Sequence, residues 1–110
     1  MIFRFWHGWT TPANADAYER LLREEVFPGI AGRGIDGWRG IDLLRREPVD
    51  AGAERVVEFA TVMWFDSLDA VRAFAGDAYE TAVVPPAARA LLLRFDDRSA
   101  HYEVRDRHSA

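Results

Sequence analysis

Cysteine is absent from this chain of 110 residues, and so is lysine. Without thiols there can be no disulfide, zinc–thiolate centre, iron–sulfur cluster or cysteine nucleophile. Without lysine there can be no Schiff base on a side-chain amine. All 14 basic residues are arginine, a usage that fits a genome rich in G and C better than a functional demand. No long uncharged apolar run is present, which argues against a membrane-spanning helix. Arg4 and His7 interrupt the apolar stretch at the start, so no signal peptide is expected and the cytoplasm is the default compartment. A net charge of -4 argues against a nucleic-acid partner. What the chain does have is 49% hydrophobic and 29% charged residues, enough apolar surface to fold and not remain disordered. One domain is expected over residues 1–105, followed by a polar tail at 106–110.

The local signals alternate between two periods. Ile2 to Trp9 is rich in aromatics and reads as a strand. Thr10, Thr11 and Pro12 then supply a hydroxyl cap and an early proline for a helix. Tyr18, Leu21, Leu22 and Val26 recur at helical spacing, and Pro28 with Gly29 is the expected stop. Trp38 to Arg46 and Glu54 to Phe65 read as two strands of a hairpin, joined by a turn containing Pro48, Asp50 and Gly52. Asp66 or Ser67 caps a second helix that carries Leu68, Val71 and Phe74 and stops at Gly76. Pro85 and Pro86 open a short helical piece running to Leu92, and Phe95 to Val104 reads as the last strand. The order strand, helix, strand, strand, helix, strand is that of an α+β, ferredoxin-like domain with an antiparallel sheet.

Such a domain covers one sheet face with helices and leaves the other bare. Phe3, Phe5, His7 and Trp9 read as the helix-facing side of the first strand. Trp6, Val56, Val62 and Trp64 then share the bare face, with Arg4 and Glu58 paired or wet among them. Two tryptophans on a water-facing surface are unexpected, so that face is expected to pack on the sheet of an identical subunit.

Several stretches together resemble the antibiotic biosynthesis monooxygenase domains of the dimeric α/β-barrel superfamily. They are HGWTTPANADAY at 7–18, GIDGWRGIDLLRR at 34–46, TVMWFDSLDAVRAFAG at 61–76, AVVPPAARALL at 82–92 and HYEV at 101–104. The resemblance spans nearly the whole chain. It implies a homodimer with a pocket between helices and sheet, and oxygenation of a small aromatic or polyketide-like compound without metal or flavin. A haem-degrading branch of the superfamily carries an asparagine on the first strand, a tryptophan before the second helix and a histidine after it. These positions fall here on His7, Phe65 and the stretch 82–84, where no histidine stands, so haem loses its axial ligand.

His7 is the candidate catalytic base, able to take a phenolic proton and leave an anion that reacts with oxygen. The plainer reading is a core-edge histidine held by one hydrogen bond. His101 is either a second candidate or a marker of strand pairing. Trp9, Tyr18, Met63, Phe65 and Tyr79 are the candidate substrate-binding residues, with Phe74 more readily explained as core. Three histidines without close spacing make no metal site, and the glycines at 32, 34 and 37 make no phosphate loop. No cofactor is expected. The alternative from another class is a non-catalytic dimer of the same fold that binds a small ligand.

Overall fold

The computed structural model describes residues 1–51 and 54–110, with the backbone alone at 48–51. In chain order it comprises β1 (Ile2–Thr10), α1 (Pro12–Leu21), a π turn (Leu22–Val26), α2 (Phe27–Gly32), β2 (Trp38–Ala51), β3 (Glu54–Phe65), α3 (Leu68–Ala75), α4 (Pro86–Arg89), β4 (Arg94–Phe95) and β5 (Ala100–Glu103). The sheet runs β2-β3-β1, and β4 and β5 share the remaining edge of β1. Every pairing is antiparallel. This is the ferredoxin-like α+β arrangement with its last strand in two pieces. Among the described residues no helix is long and apolar enough to cross a membrane.

Local chemistry explains most boundaries. The Thr11 hydroxyl accepts the Asn14 N–H at 3.1 Å, and Pro12 sits in the first turn, where no donor is needed. Ser67 caps α3 in the same way, accepting from the Ala70 N–H at 3.2 Å. Gly76 ends α3 with φ at 85°, a conformation open to glycine.

Four boundaries differ from expectation, the least of them α4, which ends at Arg89 and not at Leu92. The first helix does not stop at Pro28. It widens into a π turn in which the Phe27 N–H bonds to the Leu22 carbonyl, and continues to Gly32. Pro28 has no N–H and its ring crowds the carbonyl four residues back, so the chain restarts with Pro28 in a first turn. β2 does not stop at Arg46 either, but continues to Ala51 through an irregularity between Arg46 and Val49, where Pro48 lacks a donor. Of the expected turn, Pro48 and Asp50 therefore lie in β2, and Gly52 lies outside the described residues. The final strand is interrupted at 96–99. There Asp96 turns its polar groups onto β1: its N–H donates to the His7 carbonyl at 2.9 Å, and its carboxylate accepts the His7 N–H at 2.9 Å.

The register reverses the expected facing of β1. Even residues of β1 stand opposite odd residues of β3: Arg4 opposite Met63, Trp6 opposite Thr61, Gly8 opposite Phe59. In an antiparallel pair, opposed residues share a face. Arg4, Trp6, Gly8 and Thr10 are therefore the buried, helix-facing side, while Phe3, Phe5, His7 and Trp9 are half-buried on the bare side with Val62 and Trp64. Trp6 does not belong to the bare face. Arg4 and Glu58 lie on opposite faces and do not pair. Glu58 instead accepts from the Trp9 indole at 3.0 Å and from Arg46 at 3.2 Å.

Under the helices the core divides in two. One cluster joins Ala15, Tyr18 and Leu22 to Val57, Phe59 and Ala88. The other joins Met63 and Phe65 to Ala70, Val71 and Phe74. Arg45 of β2 lies over the Phe59 ring at 5.4 Å and reaches α1 through Asp16 at 2.9 Å and Glu19 at 3.1 Å.

Gly8 sets the position of Trp6. A Cβ on Gly8 would stand 2.8 Å from the Trp6 ring and 3.1 Å from Leu92. The ring cannot swing aside freely, because its N–H donates to the Asp96 carbonyl at 2.9 Å. Gly8→Ala should therefore destabilise the domain by about 1–3 kcal/mol, the usual cost of overpacking. Urea unfolding should show a lower midpoint with an unchanged slope. A variant as stable as the parent would show that Trp6 is free to move.

Candidate functional site

The two core clusters do not meet, and between them lies a cavity of about 410 Å³. Arg4, Trp6, Ile41, Thr61 and Met63 form its floor on the sheet. Tyr18 and Leu22 of the first helix and its π turn form one wall, with Val26, Phe27 and Ile30 beyond them. Val83, Val84 and Pro85, ahead of α4, line it as well. The π turn matters here, since it brings Leu22, Val26 and the start of α2 round the cavity instead of ending the helix short of it. A largely apolar hollow of this size with a few polar groups is the usual form of a small-molecule site, for which volumes run from about 300 to 1,000 Å³.

Its polar groups are distinctive. Arg4 is only 4% exposed. Its Nη1 donates to the Tyr79 carbonyl at 2.5 Å and contacts His101 Nε2 at 2.9 Å, and its Nη2 donates to the Thr81 carbonyl at 3.3 Å. Among the described residues no carboxylate pairs with it. Burial pulls the guanidinium down to about 10, which leaves it charged at neutral pH. Because an arginine N–H only donates, His101 Nε2 must be the acceptor, and its proton sits on Nδ1. Burial, with the Arg4 charge beside it, holds His101 below the ordinary imidazole range. The Tyr18 hydroxyl has no hydrogen-bond partner among the described residues, and burial raises its pKa, so it is a neutral donor. Two guanidinium groups approach the Phe74 ring, Arg4 at 5.3 Å and Arg33 at 5.4 Å from its centroid.

The residues singled out from the sequence separate into three places. Tyr18 and Met63 line the cavity, as does Phe74. Phe65 is fully buried in the core beneath, its ring 5.9 Å from that of Phe74. Tyr79 and His101, ring centroids 5.1 Å apart, line a second depression outside the cavity. His7 and Trp9 are on the other face of the sheet. Their rings stack at 5.8 Å, and His7 Nδ1 lies 2.8 Å from the Asp96 carboxylate. His7 therefore cannot serve as a base inside the cavity. The stretch on which a haem-ligating histidine would fall supplies Val83 and Val84 to the wall. No group of three His, Asp or Glu residues is placed to hold a metal ion among the described residues. Arg4, Trp6 and Thr61 were missed. The signal for Arg4 was present, a charged residue in a central strand, but the opposite choice of face placed it outside.

The fold has a counterpart among solved structures. A Bacillus cereus protein provisionally named an antibiotic biosynthesis monooxygenase superposes with a TM-score of 0.59, covering 100% of this chain and 97% of that one, at 13% identity. The fold implied by the sequence resemblance is thus the fold the chain has. No family model and no curated protein sequence matches the chain.

The contact between Arg4 and His101 has a titration signature. Protonating His101 would set two cations against each other, so the folded protein resists a proton that the unfolded chain accepts near pH ~6.5. The stability this contributes is complete above that pH and is lost as pH falls through the folded value. The His101 ring signals in an NMR titration should move at a midpoint below ~6.5, and Arg4→Met should raise it. A midpoint at or above the free-imidazole value would show that the contact does not form.

Proposed function

We propose that this protein is a cofactor-independent monooxygenase-like enzyme acting on a small aromatic or polyketide-like compound in the cavity between sheet and helices. The observation that carries the reading is the cavity itself: aromatic and aliphatic walls, a volume suited to a planar ligand, and a Tyr18 hydroxyl without a partner among the described residues. The sequence resemblance and the fold of the Bacillus cereus protein support the reaction class. For an anthrone the chemistry balances with dioxygen alone. The substrate loses its two ring CH2 hydrogens, one oxygen atom becomes the new carbonyl, and the other leaves as water. The protein's part is to bind the ring, keep bulk water out and donate to a substrate oxygen through Tyr18. Oxygen uptake with an anthrone or quinol tests this. Turnover should drop about 10-fold or more in Tyr18→Phe, and His7→Ala should leave it nearly unchanged. No uptake across a panel of such compounds would end the oxygenase reading.

One observation favours a second reading. Among the described residues the titratable groups around the cavity include no free base: Tyr18 stays neutral, Glu25 is exposed at the rim, and His101 gives its Nε2 lone pair to Arg4. A non-catalytic binder of the same kind of ligand would look like this. Ligand binding without oxygen uptake would favour it.

The bare sheet face supports a homodimer, for which the cytoplasm stays the compartment expected from the sequence. Phe3, Phe5, Trp9, Val62 and Trp64 share it, with Leu44 and Tyr102 exposed at 48% and 61%. A second copy of the same face would cover them, as the resemblance implies. Light scattering should give twice the chain mass at micromolar concentration, and Trp64→Glu should give the monomer. A monomeric parent protein would rule the dimer out.

A further inference from the structure

Arginine carries five N–H donors. In Arg4 three have partners, the two on Nη1 and one on Nη2. The Nε–H and the second Nη2 hydrogen have none among the described residues. These are the two nitrogens that Arg39 turns on a carboxylate elsewhere in this structure, with Nε to Asp66 Oδ1 at 2.8 Å and Nη2 to Oδ2. Arg4 thus has the donors for a two-pronged contact to a pair of oxygens, and lacks the oxygens. The charge is not shared with water as that of the exposed Arg33 is, because Arg4 is 96% buried on the floor of the cavity. Its existing partners are two neutral carbonyls and a neutral imidazole. They hold the guanidinium in place without cancelling its charge. A buried cation without a counter-ion is costly, and the missing charge is most simply brought by what fills the cavity.

We propose that the cavity binds its ligand as an organic anion, a planar aromatic carrying a carboxylate or an ionised enol or phenol oxygen, with the charged oxygen on the free Nε and Nη2 donors of Arg4. The inference deepens the proposed function, since it names the charge state of the compound taken up. The ring lies among Trp6, Met63 and Phe74, and the neutral Tyr18 hydroxyl donates to a further oxygen. His101 and the carbonyls of Tyr79 and Thr81 position Arg4, and the ligand completes its shell.

Three probes of one size test it by calorimetry on the intact protein. They are 1-naphthoate, the ionised form of 4-nitro-1-naphthol, and neutral 1-naphthalenemethanol. The two anions carry the two kinds of charged oxygen, and the alcohol carries neither. At least one anion should bind about 10–100-fold more tightly than the alcohol, the usual worth of a charge-assisted hydrogen bond in a buried site. Which anion it is tells carboxylate from enolate. Arg4→Met should bring that ratio close to one, and Arg4→Lys should keep part of it. Should Arg4→Met fail to fold, the ratio in the parent protein decides alone. Equal affinities, a preference for the alcohol, or no binding of any probe at millimolar concentration would overturn the proposal. The measurement is separate from oxygen uptake. Anion preference without uptake keeps this inference and removes the oxygenase, while uptake on a neutral compound without charge preference does the reverse.

Discussion

β1 is hydrogen-bonded along both edges, to β3 for its whole length on one side and to β4 and β5 on the other. A strand held this way cannot shift its register without breaking both ladders. Its alternating side chains are therefore committed, even residues to the helices and odd residues to the bare face. Everything chemical about the molecule follows from that commitment. The same strand supplies the cavity floor through Arg4 and Trp6 and the bare face through Phe3, Phe5, His7 and Trp9.

The cavity exists because the core is not continuous. Tyr18 and Phe59 fill one end and Phe65 and Phe74 the other, and nothing large enough to bridge them stands at Thr61 or Ser99. Close packing normally closes such gaps, so an apolar hollow next to a buried guanidinium has the character of a site and not of a flaw. Phe74 helps to hold the charge there. Its ring lies within cation–π distance of both Arg4 and Arg33.

The order of elements was legible in the chain because each boundary carries local chemistry, such as the Thr11 and Ser67 hydroxyls and the glycine after α3. That Tyr18 faces inward was legible from helical spacing, and the inward face of Met63 from the alternation of β3. The facing of β1 was not. Phe3, Phe5 and Trp9 carry more apolar bulk than Ile2 and Trp6, and the fixed charge of Arg4 stands among the even residues, so alternation alone points to the wrong face. Only the register against β3 decides, and register is a property of the pair. The same wrong face hid Arg4 and promoted His7. The break in the final strand was illegible for a related reason. Asp96 leaves the ladder to meet groups on β1, and nothing near it in sequence announces those partners. The π turn likewise depends on how Pro28 is accommodated in three dimensions.

Asp96 has one further consequence. Its carbonyl oxygen holds the Trp6 indole on the cavity side of the sheet, and its carboxylate holds the His7 ring on the bare side. Two compartments separated by the thickness of a sheet thus share one residue as a common fastening. A displacement of Asp96 reaches both, and contacts that fix His7 from outside also stiffen the part of the floor formed by Trp6. Any such coupling is reciprocal, so a filled cavity acts on the outer face as strongly as the outer face acts on the cavity.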